Sequence, residues 1–145
     1  MELIDVSYFG LFLLTFLSAT ILPLSSELIL ILMLSQNYSP LACLIVASSG
    51  NSLGGITNYF IGRIGNVRWF KKIGVKEEKI QKTSSKIQKF GAYIALLSWA
   101  PFIGDLFIVA LGFFRVSFKK VTLFMVIGKF TRYLIIIYFL SQLNA

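Results

Sequence analysis

Four apolar runs organise the chain, at about residues 6–34, 40–62, 91–114 and 121–140. Each is near or above the ~20 residues that a helix needs to cross a bilayer, so the pattern predicts an all-α integral membrane protein. The first and third runs contain a proline near the middle, Pro23 and Pro101. Because proline removes a backbone donor and clashes with the preceding turn, we expect each of these runs to form two short helices around a bend. We assign Gly104 to the second bend.

The basic residues lie in two stretches between the apolar runs. Residues 63–90 contain nine of the fourteen Lys and Arg residues, and Arg115, Lys119 and Lys120 form a smaller group. The positive-inside rule places both stretches in the cytoplasm. Four full crossings would put them on opposite sides of the membrane. They lie on the same side if the two broken runs are re-entrant hairpins, which we therefore predict, with both termini outside.

The two halves of the sequence correspond at an offset of 78 residues. The matching pairs are Pro23 and Pro101, Glu27 and Asp105, Leu28 and Leu106, Ser39 and Ser117, and Gly50 and Gly128. One spanning helix separates the two hairpins, so they would enter the membrane from opposite sides. We therefore predict one domain over residues 1–145, built as an inverted repeat (about 6–62 and 91–140) around the basic segment 63–90. In transporters with this plan, the binding sites lie near the midplane where broken helices meet.

Two acids occupy equivalent positions in the apolar runs, Glu27 and Asp105. A carboxylate inside the bilayer is costly, and such groups normally pair or line a path, so we interpret both as ion-coupling residues. The alternative is structural. Each acid could instead stabilise the N-terminus of the second helix of its hairpin, where the macrodipole favours negative charge.

Two cations lie three residues apart inside the last run, Lys129 and Arg132. They could neutralise the two acids in a structural network, or present positive charge to an anionic substrate such as a phosphate head group. Asn51 and Asn58, on the second run, are further candidates for substrate binding, and helix packing is the alternative for both. The glycines beside them recur in a small-xxx-small pattern that permits close helix approach, at Gly50, Gly54 and Gly62.

The basic segment predicts an amphipathic helix on the cytoplasmic surface. Ile73, Ile80 and Ile87 recur every seven residues, and the lysines on another face are Lys79, Lys82, Lys86 and Lys89. We expect the lysine face to contact anionic head groups of the inner leaflet. A solvated basic loop is the alternative.

Composition supports the membrane class and excludes several others. The chain is 57% hydrophobic and 14% charged, whereas an average soluble domain is roughly 45–50% apolar and about 25% charged. It contains no His and one Cys, Cys43. These counts exclude His-containing or Cys-cluster metal sites, intrachain disulfides, and Ser-His or Cys-His nucleophiles. We find no nucleotide-binding loop, and we expect no enzymatic activity, no cofactor and no nucleic-acid partner.

Three segments resemble a known family. They read Ser-Ala-Thr-Ile-Leu-Pro-Leu-Ser-Ser-Glu (18–27), Gly-Asn-Ser-Leu-Gly-Gly-Ile-Thr-Asn (50–58) and Phe-Gly-Ala-Tyr-x5-Ser-Trp-Ala-Pro-Phe-Ile-Gly-Asp-Leu (90–106). This sequence resembles the short YqaA-type branch of the DedA family, also called SNARE-associated Golgi or VTT-domain proteins. The resemblance covers nearly the whole chain.

The resemblance implies two facing re-entrant hairpins in a bacterial inner membrane. Longer members are implicated in membrane-potential-dependent transport, including the return of undecaprenyl phosphate, and eukaryotic relatives scramble phospholipids. Glu27 matches an acid that longer members carry near the first bend. The arginines of their second hairpin fall at or near Ser98 and Asp105 here, so that phosphate-binding role does not carry over.

We therefore expect a small inner-membrane transporter or lipid flippase. Its substrate would be an anionic lipid, a class that includes polyprenyl phosphate, or a small anion. Movement of this substrate would be coupled to protons or to the membrane potential. The alternative is a non-transporting scaffold that binds lipid or a partner through the basic helix. A chain this short could need a second copy to enclose a path, so a homo-oligomer is also expected.

Overall fold

The computed structural model describes residues 7–20, 25–66, 68–100 and 103–144, and within these ranges it contains helices and no strand. The helices in chain order are α1 (Tyr8–Thr20), α2 (Ser26–Ser35), α3 (Pro40–Ile64), α4 (Arg68–Lys72), α5 (Glu77–Ile94), a 3₁₀ helix (Ala95–Trp99), α6 (Ile103–Phe113) and α7 (Phe118–Leu143). The all-α prediction is confirmed. Each broken run forms short helices, and each unbroken run forms one long helix. The predicted bend residues Pro23 and Pro101 lie outside the described residues.

The first two helices form an antiparallel pair. The Tyr8 ring, at the start of α1, meets the Tyr38 ring edge-on at 5.2 Å, just beyond the end of α2. The Ser39 N–H donates to the Tyr8 hydroxyl at 3.3 Å. With 13 and 10 residues, the two helices are about 20 and 15 Å long, shorter than the ~30 Å hydrocarbon core.

A second antiparallel pair is formed by the end of α5, the 3₁₀ helix and α6. The Gln88 side-chain amide donates to the carbonyl of Phe114, just beyond α6. At the other end of this pair, a Cβ on Gly104 would lie 2.6 Å from the Ser98 carbonyl oxygen. Gly104, predicted at the bend, thus lies where two segments approach too closely for a side chain.

The long helices α3 and α7 cross in an antiparallel arrangement. Tyr59 stacks on Phe118 with ring centroids 5.4 Å apart, Gly55 lies against Met125, and Asn51 contacts Lys129. Within the described ranges, α7 is the helix that is both long and apolar enough to cross a membrane by itself. Helix α3 has 25 residues, or about 37 Å, but its glycine, serine and asparagine stripe lowers its hydropathy.

Glycines allow α3 to approach its neighbours closely. A Cβ on Gly54 would lie 2.6 Å from the Ala19 Cβ and 2.7 Å from the Phe16 carbonyl oxygen of α1. A Cβ on Gly62 would overlap the Val109 backbone of α6. The small-residue stripe thus packs against α1 and α6.

The connection from α2 to α3 has the same geometry as that from α6 to α7. Asn37 and Arg115 both have a positive φ, 65° and 56°. The residue after each donates to the carbonyl five positions back, Tyr38 to Met33 and Val116 to Leu111. These are Schellman caps, and they lie 78 residues apart.

Two hydrophobic cores show the same spacing. The first contains Leu30, Met33, Cys43 and Ala47, and the second contains Ile108, Leu111, Val121 and Met125. Each member of the second set follows its counterpart by 78 residues. Each core also contains one tyrosine from the other half of the chain: Tyr133 of α7 lies in the first core, and Tyr59 of α3 lies in the second.

The basic segment differs from the single helix predicted over 63–90. Helix α3 continues through Arg63, α4 is short, and Gly74 adopts φ +87°, which side-chain-bearing residues rarely adopt. Helix α5 therefore begins only at Glu77 and continues into the second hairpin. Ile73 lies in the intervening turn, outside the predicted apolar stripe on α5.

Candidate ion-pair site

The side chains of Glu27, Asp105, Lys129 and Arg132 form two ion pairs in the middle of the fold, one for each antiparallel helix pair. Asp105 pairs with Lys129, and Glu27 pairs with Arg132. We call these the buried pair and the cavity-facing pair. Both cations come from α7 and both acids from the first turn of a short helix, α2 or α6. The arrangement therefore also satisfies the alternative in which each acid stabilises a helix N-terminus.

The Lys129 ammonium is fully enclosed by protein. Its exposed fraction is 0%, and Nζ donates to Asp105 Oδ1 at 2.8 Å, to the Asn51 carbonyl oxygen at 3.2 Å and to Asn51 Oδ1. An ammonium has three donors, and three acceptors surround this one. Asn51 and Lys129 are 78 residues apart, so two positions that correspond at the predicted repeat offset contact each other where α3 crosses α7.

The asparagines of α3 bind backbone groups of α1. Asn51 Nδ2 donates to the Thr15 carbonyl at 3.3 Å and to Ser18 Oγ at 3.5 Å. Asn58 Nδ2 donates to the Ala19 carbonyl at 2.6 Å, one of the last carbonyls of α1, which lacks a helical partner. These contacts favour a packing role for Asn58, and a substrate-binding role for either asparagine stays a prediction.

The cavity-facing pair is less enclosed. Arg132 is 12% exposed and Glu27 23%. Ser25 Oγ donates to the second carboxylate oxygen of Glu27 at 2.8 Å, and the Arg132 guanidinium lies 5.6 Å from the centre of the Tyr133 ring. The Tyr133 hydroxyl in turn donates to Ser26 Oγ at 2.9 Å.

An apolar cavity opens beside Arg132. It has a volume of about 320 Å³ and lies between the 3₁₀ helix and α7, and the residues that line it include Leu96, Trp99, Gly128, Thr131, Arg132 and Ile135. Arg132 is the charged residue among those that line this cavity, whereas Lys129 does not line the cavity. The geometry therefore gives an amphiphilic anion access to one of the two cations.

The predicted lysines of the surface helix lie apart from this site. Lys79, Lys82, Lys86 and Lys89 are exposed along α5. In the part of the chain that the structure describes, no cluster of three or more His, Cys, Asp or Glu side chains could hold a metal ion. Sequence reasoning missed Tyr133 as a site residue, although it follows Lys129 by four positions and so shares its helix face.

Comparison with known sequences identifies the family of this chain. The sequence profile of the VTT domain matches residues 22–142. The inner membrane protein YqaA of Escherichia coli K12 is 40% identical over 130 residues, which cover 88% of this chain and 87% of that protein. An uncharacterized protein of Haemophilus influenzae is 38% identical over 136 residues, 88% of this chain and 83% of its own length. No solved structure matches the chain.

These similarities are consistent with the geometry of the site. The matched region contains all four intramembrane charges. The Escherichia coli relative is described as an inner membrane protein and the Haemophilus influenzae relative as uncharacterized.

Proposed function

The chain belongs to the VTT-domain (DedA) family of membrane proteins, and from this premise we propose that it is a small inner-membrane transporter or lipid flippase for an anionic amphiphile. The observation that carries the proposal is the cavity-facing pair. A largely enclosed guanidinium, balanced by a carboxylate, borders an open apolar cavity between the 3₁₀ helix and α7. Such a site suits a molecule with one anionic group and an apolar body.

The topology that we propose is an inverted repeat of two re-entrant hairpins and two spanning helices. The Schellman caps and core residues 78 positions apart support the repeat. The antiparallel crossing of α3 and α7 supports the inversion, because equivalent helices then point in opposite directions through the membrane. The apolar helices α1, α2 and α6 support the two proposed hairpins, since each is too short to cross the ~30 Å hydrocarbon core.

The orientation follows from the cations. The end of α3 lies beside Phe113, at the start of the turn into α7. Arg63 and the segment after it therefore lie at the same end of the molecule as Arg115, Lys119 and Lys120. We propose that this basic end faces the cytoplasm of a bacterial inner membrane, and that the single domain spans residues 1–145.

Competition for Arg132 would couple the anion to a proton. While Glu27 is ionised, its carboxylate occupies the guanidinium. A proton on Glu27 removes that competitor, so an anion entering from the cavity can bind Arg132 in its place. One proton then accompanies one negative charge, and the occupied site is as neutral as the resting one, which matters in a medium of low dielectric.

A flippase assay tests this coupling. The chain is reconstituted in vesicles containing fluorescent phosphatidylglycerol, and lipid movement is followed by dithionite quenching with and without a proton gradient. We expect Arg132→Gln to reduce the rate to that of protein-free vesicles. Glu27→Gln should keep movement but lose its dependence on the gradient. A parallel assay with a polyprenyl phosphate separates the two lipid classes.

Two further variants complete the assay. Lys120→Gln, an exposed cation on the same helix, should leave the rate and its gradient dependence unchanged. Asp105→Asn tests the second predicted ion-coupling acid. If Glu27→Gln and Asp105→Asn both leave transport and its coupling intact, the acids are structural and the proposal fails.

The exposed lysines of α5 favour a second candidate function, a non-transporting scaffold that binds anionic lipid or a partner. In that case replacing Lys79, Lys82, Lys86 and Lys89 with Gln should remove the cellular activity, whereas Arg132→Gln should not. Binding of the chain to anionic nanodiscs, compared with zwitterionic ones, measures the contribution of the lysine face directly.

A further inference from the structure

A groove between α3 and α7 contains two hydroxyls that lack hydrogen-bond partners. Ser48 and Ser52 are 5% and 6% exposed, and within the described ranges their oxygens have no hydrogen-bond partner. Neighbouring hydroxyls behave differently: Ser49 donates to the Ile45 carbonyl at 2.7 Å and Thr57 to the Leu53 carbonyl at 3.1 Å. An unsatisfied buried hydroxyl is unfavourable, so these two indicate a missing partner.

The groove has a definite shape and position. Its volume is about 440 Å³, and its lining includes Ser48, Ser52, Leu53, Ile56, Val126 and Phe130. Val126 and Phe130 follow Ser48 and Ser52 by 78 residues, so the groove lies on the axis that relates the two halves. It is separate from the cavity beside Arg132.

The depth of the groove excludes ordinary lipid as the missing partner. Ser52 lies at the centre of α3, twelve residues from Pro40 and twelve from Ile64. At that depth a phospholipid presents only hydrocarbon, because its ester and phosphate groups lie at the interfaces. The partner must therefore bring polar groups into the middle of the bilayer, which a helix with small polar residues does.

We propose that the occupant is a second copy of this chain, paired through the groove across a two-fold axis. A hydroxyl both donates and accepts, so the Ser48 and Ser52 stripe is complementary to itself, as an interface between identical subunits requires. Serines four residues apart also form a small-xxx-small pattern that lets helices approach closely.

Cross-linking tests which face of the chain contacts the second copy. In the full chain with Cys43→Ala, a cysteine is placed at Leu53, on the groove, or at Leu28, which is exposed on α2 away from it. A short bismaleimide applied in liposomes should produce a covalent dimer for Leu53→Cys and little for Leu28→Cys. Equal cross-linking of both, or of neither, would overturn the proposal.

The hydroxyls themselves are tested by dilution in liposomes, with single-molecule photobleaching as the measure of dimer fraction. Ser48→Ala with Ser52→Ala should raise the dissociation constant about tenfold and leave the monomer fold intact, since these hydroxyls have no hydrogen-bond partner among the described residues. Thr57→Ala, which removes a hydroxyl of α3 that does not line the groove, should have no effect. A chain that is monomeric at every dilution contradicts the proposal, as does cross-linking of Leu53→Cys only to a different protein in native membranes. Neither result bears on lipid transport by Arg132.

Discussion

The buried pair and the cavity-facing pair are similar in chemistry and different in surroundings. Asp105 and Glu27 are exposed to nearly the same extent, 21% and 23%. The difference lies in the cations. Lys129 is enclosed, with three acceptors from two helices, whereas Arg132 borders a cavity. The environment of the cation, more than that of the acid, therefore separates the two sites.

This difference predicts different roles for the buried pair and the cavity-facing pair. Lys129 connects the second hairpin to the crossing of α3 and α7, because its partners lie on α6 and α3. Exchange of a partner there would leave several buried groups unsatisfied. In the proposed function Arg132 would exchange Glu27 for another anion, and this exchange would leave the contacts of Lys129 at the crossing in place. One pair is thus suited to holding the fold and the other to binding.

The largest expected effect is on stability. We expect Lys129→Met to lower the free energy of unfolding by about 3–5 kcal/mol, because it leaves Asp105 without a counter-charge and Asn51 without a donor. Arg132→Met should cost clearly less, since Glu27 still accepts from Ser25, whereas Lys129→Met also leaves two Asn51 oxygens without their donor. Thermal unfolding in one detergent, followed by circular dichroism, compares the two variants. Equal losses would remove the distinction between the pairs.

In the same unfolding experiment, a double substitution separates the effect of an unpaired charge on stability from the effect of lost side-chain packing. Asp105→Leu combined with Lys129→Met removes both charges, and we expect it to recover most of the stability lost by Lys129→Met. Because the double variant keeps Arg132 and Glu27, we expect it to retain the proposed flippase activity. A stable double variant without transport would instead give the buried pair a direct part in the movement of the substrate.

Much of the architecture could be predicted from the sequence because it depends on local signals. Proline within an apolar run indicates a broken helix, and two such runs at an offset of 78 residues indicate a repeat. The positions of Glu27 and Asp105 in the first turns of α2 and α6 follow from the same pattern. The pairing of these acids with Lys129 and Arg132 was one of the two alternatives.

The sequence could not predict which cation pairs with which acid, because this depends on how α3 and α7 cross. A shift of one helical turn along α7 would bring Arg132 to the position of Lys129 beside Asp105 and leave Glu27 without either cation. The break in the basic segment was also missed. The seven-residue spacing of isoleucines favoured one helix, but the positive φ of Gly74 ends α4 and moves Ile73 off the stripe. Such conformations depend on the turn and not on hydrophobic periodicity.

A smaller effect is expected in chemical access to the two cations. With Cys43→Ala, a cysteine at Thr131 lies on the cavity that Arg132 borders, whereas a cysteine at Met125 lies in the buried core near Lys129. We expect a small methanethiosulfonate reagent in liposomes to modify Thr131→Cys at least about tenfold faster, since a cavity admits the reagent and a close-packed interior does not. Similar rates would mean that the buried pair is also accessible. Slower modification of Thr131→Cys in the presence of an anionic amphiphile would place that ligand beside Arg132.

The smallest expected effect distinguishes two adjacent serines. Ser26 accepts from the buried Tyr133 hydroxyl, so Ser26→Ala leaves a buried donor unpaired and should cost about 1–3 kcal/mol of unfolding free energy. Ser25 donates to the partly exposed Glu27 carboxylate. Ser25→Ala should therefore cost about 1 kcal/mol or less, because water or Arg132 can take over the freed oxygen. Denaturant unfolding of both variants in the same detergent measures the difference. If Ser25→Ala were the more destabilising, Glu27 would be held as firmly as Asp105, and exchange of its partner would not be the easy step that the cavity-facing pair requires.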